Sequence, residues 1–293
     1  MKIPELVELF VKKPYHLDMG RNRLAMLYDC TSDDVVLAKS LARGEIARTE
    51  VAVATKPVSR NIKLPKPFIG GSADSILIIG DTHVPFDLPG YLEFCRDVQE
   101  FFNCGKVIQI GDLVDYHASS YHETIPEGWS PKDELDYAKQ RIKEWERVFP
   151  EVTVTLGSHD LRPHRKMRSG MVANEWLKSF EDVYDTPNWR YVDEYVYQGI
   201  KYTHGTTDAW SNLLNSGVSV VQGHLHTRAS VQWHNLGGKS IFAMQVGCGI
   251  NDKTYAFEYA KTNTTKSHIS CGVVFGGNPI VINKETWDAS KAK

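Results

Sequence analysis

The chain has 293 residues, 42% of them hydrophobic and 24% charged, a composition typical of a soluble globular protein. This length is enough for one large domain and one small domain. The formal net charge of -2 excludes a strong, non-specific attraction of the whole protein to nucleic acid, but it leaves room for a local basic patch.

The cysteines and the apolar runs predict the compartment. The five cysteines are an odd number and form no CxxC pair, which favours free, buried thiols in a reducing compartment. The first residues lack the apolar core of a signal peptide, and no apolar run has the length of a membrane span. We therefore expect a cytoplasmic protein without a membrane partner.

Residues 1–49 are predicted to form a small helical domain. Apolar residues indicate helices over residues 3–10 and 24–28, and Thr31 is placed to cap a third helix. The predicted core face of this third helix consists of Val35, Ala38, Leu41 and Ala42.

The function of this small domain is open between two hypotheses of equal weight. Two short helices joined by a tight turn are typical of a helix-turn-helix. In that case the domain would bind DNA, and nucleic acid would be a partner of the protein. The alternative is a helical cap that binds no ligand. Asp33 and Asp34 weaken the DNA-binding hypothesis, because a recognition helix would bring these carboxylates close to phosphates.

The remaining boundaries follow from breaks in the apolar pattern. Residues 50–74 are predicted to be an extended linker, because prolines and glycines interrupt every periodic pattern there. The main domain is predicted over residues 75–287, where strand-like and helix-like patterns alternate. Residues 288–293 are expected to form a frayed tail.

Five strand-like runs of the main domain end in a glycine combined with Asp or His. The five segments are Gly80-Asp81-Thr82-His83, Gly111-Asp112-Leu113-Val114-Asp115, Gly157-Ser158-His159-Asp160, Thr203-His204-Gly205 and Gly223-His224-Leu225-His226. The carboxyl ends of parallel strands share one edge of a sheet, so these side chains are expected to meet there. Carboxylates and imidazoles are common metal ligands, and the pattern therefore predicts a metal site.

Between these segments, apolar residues at helical spacing predict a helix over residues 91–102 and another that Ser130 caps, with Pro131 at its first position. From Arg190 onward the pattern predicts strands. Turn residues near Gln198-Gly199 and Gly276-Gly277 predict two hairpins.

The five segments resemble, in order and content, the calcineurin-like metallophosphoesterase superfamily, whose motifs read GDxH, GDxxD, GNHD or GNHE, a His beside Gly, and GHTH. The resemblance covers residues 75 to about 275. It implies an α/β fold in which two mixed β-sheets pack as a sandwich flanked by helices. It also implies hydrolysis of phosphate esters by a water that two divalent metal ions activate. Manganese is the expected metal, and Fe, Zn, Mg and Ni are the alternatives.

The resemblance assigns roles to individual residues. It implies that the metal ligands are Asp81, His83 and His226 for the first ion, Asp112 for both ions, and Ser158, His204 and His224 for the second ion. It implies that His159 is catalytic, stabilising the transition state or protonating the leaving oxygen. Asp160 is expected to orient His159 through the other ring nitrogen. Asp115 is expected to accept a hydrogen bond behind the ligands.

One residue departs from the family pattern, because Ser158 occupies the position of an asparagine. Serine is shorter than asparagine, and its neutral hydroxyl is a poorer ligand for a hard cation. The second ion is therefore expected to bind more weakly than is usual in the family.

Basic residues follow His159 and could contact substrate phosphates beyond the one that is cleaved. These are Arg162, Arg165, Lys166 and Arg168. A solvated basic surface is an equally good interpretation. His117 and His122 lie on the long loop before Ser130, where we expect them to be exposed to solvent rather than to line the substrate cleft.

Three functions remain open. The arginine that follows the second motif in protein phosphatases and dinucleoside tetraphosphatases is absent after Asp115, which argues against a protein phosphatase. The leading hypothesis is a hydrolase of phosphate esters on nucleic acid or nucleotides. The alternatives are a small-molecule phosphodiesterase of the cyclic-nucleotide type and a weakly active or non-catalytic binding protein, which Ser158 keeps open.

Overall fold

The computed structural model describes residues 1–54, 64–120, 128–254, 256–257 and 265–291, with side chains described up to residue 43 in the first range. Two compact units are present in this part of the chain. One lies within residues 1–54, and the other contains residues 64–120 and 129–291 with the gaps just given. No described helix is both long and apolar enough to cross a membrane.

The first unit consists of α1 (Ile3–Lys12), α2 (Arg21–Tyr28) and α3 (Ser32–Ala54), with α1 and α2 packed against α3. Its core contains Leu6, Phe10, Leu24, Val35, Ala38 and Ala42. The Oγ1 of Thr31 accepts a hydrogen bond from the backbone N–H of Asp34 at 3.1 Å, so Thr31 caps α3 as predicted. The prediction that Leu41 faces the core is wrong, since this side chain is 49% exposed.

The predicted linker begins later than the sequence suggests. Helix α3 continues to Ala54, so residues 50–54 are helical. Residues 55–63 lie outside the described part of the chain. Leu64 packs against the core of the second unit, and the carbonyl of Lys66 accepts a hydrogen bond from Nε of Arg96 at 2.6 Å. The segment from Leu64 onward therefore belongs to the second unit.

The second unit is built on two mixed β-sheets, as the resemblance implies. The first sheet has the order β11-β10-β1-β2-β3-β4, and the second has the order β5-β6-β7-β9-β8. The strands are β1 (Ser72–Ile79), β2 (Cys104–Gln109), β3 (Val152–Thr155), β4 (Trp189–Val192), β5 (Glu194–Tyr197), β6 (Ile200–Thr203), β7 (Ser219–Gln222), β8 (Ser230–Leu236), β9 (Lys239–Gln245), β10 (Ser270–Phe275) and β11 (Asn278–Asn283). Strands β1 to β4 are parallel, as are β6, β7 and β9.

The two sheets share an apolar core. Ile76 and Ile78 of β1 point into it, and residues such as Tyr202 and Met244 of the second sheet meet them there. The opposite face of β1, with Leu77 and Ile79, packs against helices instead. Because β1 is covered on both faces, its sequence is a continuous apolar run rather than an alternating one.

Helices cover the outer faces of the two sheets. Helices α4 (Tyr91–Phe101) and α5 (Pro131–Val148) contribute to the core on the first sheet, and α8 (Ala209–Ser216) packs on β7 and β9 of the second. Two short helices, α6 (Arg162–Ser169) and α7 (Phe180–Tyr184), lie between β3 and β4 in the chain. Ser130 caps α5 through the N–H of Asp133, as predicted. The order helix, sheet, sheet, helix confirms the predicted sandwich.

The prediction of a frayed tail is wrong for residues 288–291, which are helical. They belong to α9 (Lys284–Lys291), which directly follows β11. The ring of Trp287 lies 6.3 Å from that of Phe94 and 5.3 Å from that of Phe101, so α9 packs against α4. Residues 292–293 lie outside the described part of the chain.

All five cysteines are free thiols, and four of them are buried, while Cys30 is half-buried. Burial raises the pKa of Cys104 to about 12. A thiol with so high a pKa is a poor nucleophile near neutral pH, so Cys104 serves as a small apolar side chain.

A buried ion pair joins α5 to the loop after β1. Nε of Arg141 donates to Oδ2 of Asp87 at 2.7 Å, and Nε1 of Trp145 donates to the same oxygen at 3.3 Å. Both ions are less than a tenth exposed, so the loss of one of them would leave an uncompensated buried charge.

We therefore predict that Arg141→Met lowers the free energy of unfolding by about 3 kcal/mol. Chemical denaturation of the purified protein measures this change. Lys132→Met is the matched control, because its pair with Asp136 lies on the exposed side of the same helix and is worth less than about 0.5 kcal/mol. Equal losses in the two variants would contradict the prediction.

Candidate metal centre

The five predicted segments meet at one edge of the sandwich. Asp81 and His83 follow β1, Asp112 follows β2, and Ser158 and His159 follow β3, all in the first sheet. The second sheet contributes the residues after β6 and β7, which are His204, His224 and His226. Both sheets therefore supply side chains to a single cluster, as the shared edge of parallel strands predicts.

Glycines in the segments make room for the carboxylates. A Cβ at Gly157 would lie 2.2 Å from Oδ1 of Asp112, and a Cβ at Gly223 would lie 2.2 Å from Oδ1 of Asp81. Any side chain at these two positions would displace a carboxylate. The glycines are therefore required for close packing rather than for chain flexibility.

The backbone of the cluster is held in an uncommon conformation. His83 and Asp112 each have a φ of 47°, and His224 has a φ of 73°. Left-handed conformations at residues other than glycine store strain and are concentrated at functional sites. The site residues are thus placed by the surrounding fold and not by local backbone preference.

The first candidate metal position is formed by Asp81, His83, Asp112 and His226, whose ligand atoms all lie within 4.8 Å of one another. Nε2 of His226 is 3.2 Å from Oδ2 of Asp81 and 3.1 Å from Nε2 of His83. Nδ1 of His83 donates to Asp115 at 2.6 Å, which leaves Nε2 free to bind a cation. Burial lowers the pKa of His83 to about 4, so its ring stays neutral.

The second candidate position is formed by Asp112, His204 and His224. Nε2 of His204 lies 3.2 Å from Oδ2 of Asp112, and Nδ1 of His224 lies 3.3 Å from Nε2 of His204. The other ring nitrogen of His204 is 3.1 Å from the carbonyl of Ile110, which fixes the ring. Asp112 belongs to both groups, and this is the geometry that a bridging carboxylate requires.

The side chains fit divalent cations. Oδ1 of Asp81 is buried and has no hydrogen-bond partner among the described residues, as expected of an oxygen that binds a metal. Burial alone would raise the pKa of Asp112, but His204 and His159 hold it well below its usual range. Burial opposes the protonation of His204, but Asp112 and Asp81 raise its pKa to about 10. This buried negative charge needs a cation, and a divalent metal ion supplies more charge than one imidazole proton.

The residue that orients His159 is Asp115 and not Asp160. Nδ1 of His159 lies within hydrogen-bond distance of the backbone carbonyl of Asp115, at 2.9 Å, and equally close to its carboxylate oxygen Oδ1. The carboxylate of Asp160 instead accepts hydrogen bonds from the N–H groups of Gly157 at 2.8 Å and Val114 at 3.1 Å. The prediction for Asp160 is wrong because its side chain turns back to cap its own loop. Asp160 thus stabilises the backbone that presents His159.

Asp115 holds two histidines at once, since it also accepts from Nδ1 of His83. Burial would raise its pKa, but the hydrogen bonds from His159 and His83 hold the pKa well below its usual range. Burial alone would lower the pKa of His159, but the charges of Asp112 and Asp115 raise it above the ordinary value. The sequence-based expectation for Asp115, an acceptor behind the ligands, agrees with this position.

The four basic residues after His159 do not line the described part of the cavity. Nη1 of Arg162 donates to the carbonyls of Asp115 at 2.8 Å and Tyr116 at 3.2 Å, so Arg162 holds the loop. Arg165 donates to the carbonyl of Ser158, and Lys166 donates to that of Ser120 at 3.4 Å. Arg168 is exposed. Ser158 does line the cavity, and its role as a metal ligand stays a prediction.

Glu134 of α5 binds the backbone of the loop that contains Asp115. Sequence reasoning did not identify this residue. Its carboxylate accepts from the N–H groups of His117 at 2.6 Å and Ala118 at 2.8 Å. Burial raises the pKa of Glu134 to about 7. The expectation that His117 is solvent-exposed is wrong, since its side chain is only 12% exposed. His122 lies outside the described residues.

A cavity of 340 Å³ opens above the cluster. Its floor includes Asp112, His224 and His226, and its apolar wall includes Leu225, Ile250 and Phe257. The ring of Phe257 lies 5.5 Å from that of His83. Sequence reasoning did not identify Ile250 and Phe257, because an apolar residue in a cavity wall has the same sequence signal as a core residue.

The chain is similar to known proteins in sequence and in structure. The model of the family described as calcineurin-like phosphoesterase matches residues 75–249. The chain is 28% identical over 219 residues to the Gene 54 protein of Mycobacterium phage L5, and the match covers 61% of this chain and 80% of that protein.

Two solved structures are also similar. Yfce, a phosphoesterase from E. coli, has a TM-score of 0.36 and 16% identity, with 68% of this chain and 87% of that chain covered. A nuclease MPE from Pseudomonas putida has a TM-score of 0.33 and 12% identity, with 71% of this chain and 87% of that chain covered.

We predict that Asp112→Asn weakens the binding of divalent metal at least about 100-fold, because even the loss of a residue behind a metal ligand costs up to that factor. Titration calorimetry with Mn²⁺ measures the affinity and the stoichiometry. Asp182→Asn is the control, since this exposed carboxylate lies in the first turn of α7. Unchanged stoichiometry and affinity in Asp112→Asn would show that this carboxylate binds no ion.

Proposed function

Because the chain belongs to the calcineurin-like phosphoesterase family and is a metal-dependent hydrolase, we propose that its substrates are phosphate esters of nucleic acids or nucleotides. Two divalent metal ions serve the reaction, with manganese as the expected metal and Fe, Zn, Mg and Ni as alternatives. The buried free thiols support a reducing compartment, and the cytoplasm is the proposed location.

The observation that carries this proposal is the apolar wall beside the candidate metal centre. Leu225, Ile250 and Phe257 line a cavity of 340 Å³ that also contains Asp112 and His159. This volume lies at the lower end of the range for small-molecule sites, so the cavity suits a nucleotide-sized group. Phe257 is buried with its ring against that of His83, so the wall offers an apolar surface beside the candidate metal centre, and this surface favours an ester with an organic part such as a base.

The chain's own residues account for the placement of charge and protons. Metal ions held by Asp81, Asp112 and the histidines would supply a nucleophilic water and positive charge against the phosphoryl oxygens. Asp115 fixes the tautomer of His159, because Nδ1–H is donated to its backbone carbonyl, with Oδ1 of its carboxylate at the same distance of 2.9 Å. Nε2 of His159, which lies 2.9 Å from Nη2 of Arg162, is then the ring atom that would exchange a proton with the leaving oxygen, and it can do so only where the leaving oxygen replaces the contact with Arg162.

Arg162 contacts His159 and influences its pKa. Its Nη2 lies 2.9 Å from Nε2 of His159 and donates to it in the neutral ring. A protonated ring and a guanidinium repel each other, but Asp112 and Asp115 offset this repulsion and raise the pKa of His159. The proposed role of Arg162 is therefore to hold the loop and adjust His159, in place of the predicted grip on a distant phosphate.

The small helical unit gives less support to DNA binding than the sequence does. Up to residue 43, where side chains are described, α3 exposes Val36, Leu37 and Leu41 together with Asp33 and Arg43, a mainly apolar surface. Such a surface lacks the cluster of basic side chains that phosphate contacts need. Recruitment of a polynucleotide by these helices remains a hypothesis that removal of residues 1–63 tests.

A substrate panel tests the proposed function. We predict Mn²⁺-dependent hydrolysis of an aryl phosphodiester, single-stranded DNA or a nucleotide, and loss of all turnover in EDTA. Aryl phosphomonoesters, cyclic nucleotides and duplex DNA complete the panel, and a shortened chain that begins at Leu64 is the control for the small unit. If cyclic nucleotides are cleaved and DNA is neither bound nor cut, the small-molecule alternative replaces the proposal.

Ser158→Asn tests whether the departure from the family pattern weakens the second metal position. We predict tighter binding of the second metal ion and higher turnover of the aryl phosphodiester, because an amide oxygen reaches farther and binds a hard cation better than a hydroxyl. Ser179→Asn is the control, since both residues are good caps at the start of α7. Unchanged turnover and stoichiometry in Ser158→Asn would make serine an adequate ligand.

A further inference from the structure

The segment from Arg162 to Lys178 is basic, in contrast to the chain as a whole. It contains five Lys and Arg residues and one acid, Glu175, whereas the whole chain has a net charge of -2. The segment begins with α6, in which Arg165, Lys166 and Arg168 are exposed. The basic charge is therefore local and presented to solvent.

Large apolar side chains are exposed on the same segment. Met171 is 93% exposed and Trp176 is 78% exposed. The turn Asn174–Trp176 packs against α6, and the N–H of Val172 donates to the carbonyl of Met167 at 3.0 Å. These contacts tie the aromatic residue to the basic helix, so both belong to one surface.

This surface adjoins the candidate metal centre. Arg162, the first residue of α6, contacts the ring of His159. The guanidinium of Arg165 donates to the carbonyl of Ser158, which lines the cavity. A chain of phosphates that leaves the cavity on this side would run along α6.

We propose that α6 and the turn Asn174–Trp176 bind a single-stranded polynucleotide whose scissile phosphate lies at the metal centre. This inference rests on the proposed function and names its substrate class. Cationic side chains attract the phosphate backbone, and an exposed aromatic ring stacks on unpaired bases. A duplex hides its bases from such a ring, so the surface selects single strands.

The charge of the segment favours a polynucleotide over a protein partner. Tryptophan, methionine and arginine are all enriched in protein interfaces, but lysine is depleted there. This segment contains Lys166 and Lys178 as well as arginines, and the turn that carries Trp176 packs against the helix that carries most of these cations. A repeating polyanion with flat bases matches both features.

Binding of a labelled oligothymidylate of about 20 nucleotides, measured by fluorescence anisotropy in EDTA, tests the inference. We expect Trp176→Ala to weaken binding about tenfold, because the stacking contribution of one aromatic ring is of this order. Binding of heparin, which has charge but no bases, should be unchanged in this variant. Trp233→Ala is the matched control, since Trp233 is 51% exposed on β8 of the other sheet.

The electrostatic part is tested separately with Arg168→Gln. The slope of log Kd against log salt concentration should decrease in magnitude by about 0.7, the value for one phosphate contact on a single strand. A duplex of the same length should bind more weakly than the single strand.

The outcomes separate this inference from the proposed function. Equal affinity of Trp176→Ala and Trp233→Ala for the oligothymidylate would overturn the inference and leave the exposed tryptophan to a protein partner. Metal-dependent hydrolysis of aryl diesters without binding of single strands would overturn the inference and leave the phosphoesterase activity intact. Tryptophan-dependent binding without cleavage of any polynucleotide would overturn the placement of a scissile phosphate at the metal centre, and hydrolysis of nucleotides would then be the surviving form of the proposed function.

Discussion

The structure of the site depends on two carboxylates, Asp81 and Asp112, that are buried where the two sheets meet. A buried carboxylate is stable only if it is neutralised or hydrogen-bonded. One oxygen of each is satisfied by the backbone, since the N–H of His224 donates to Asp81 at 2.9 Å and that of His159 donates to Asp112 at 2.7 Å. The other oxygen of Asp112 lies 3.2 Å from Nε2 of His204, and the other oxygen of Asp81 has no hydrogen-bond partner among the described residues, so the centre of the cluster requires positive charge.

The scaffold keeps these carboxylates in place through the end of β1. The hydroxyl of Tyr91 accepts from the N–H of Gly80 at 3.1 Å and donates to the carbonyl of Ser270 at 2.7 Å. It thereby connects α4, the residue before Asp81, and β10. Because β1 is also packed on both faces, its carboxyl end has little freedom, and rigid elements of this kind position ligands better than loops do.

The sequence predicts most of the fold and the meeting of the Asp and His residues in one candidate metal centre, because each depends on a local pattern. An apolar run followed by glycine and an acid predicts a buried strand with a polar side chain at its carboxyl end. Features that depend on tertiary contacts are missed: Leu41 lies off the packed face of α3, and Trp287 packs on Phe94, which stabilises a helix where a frayed tail was expected. Adjacency in sequence suggested Asp160 as the partner of His159, whereas the contact comes from Asp115, on a neighbouring strand end.

The division of ligands between the sheets links metal binding to the cohesion of the sandwich. Asp81, His83 and Asp112 come from the first sheet, and His204, His224 and His226 come from the second. Any ion bound at either position therefore cross-links the two layers, in the way that a disulfide would, but reversibly. An ion at 100 times its dissociation constant would add about 2.7 kcal/mol to the free energy of unfolding. Bound metal would thus add to the cohesion of the two sheets, independently of its effect on catalysis.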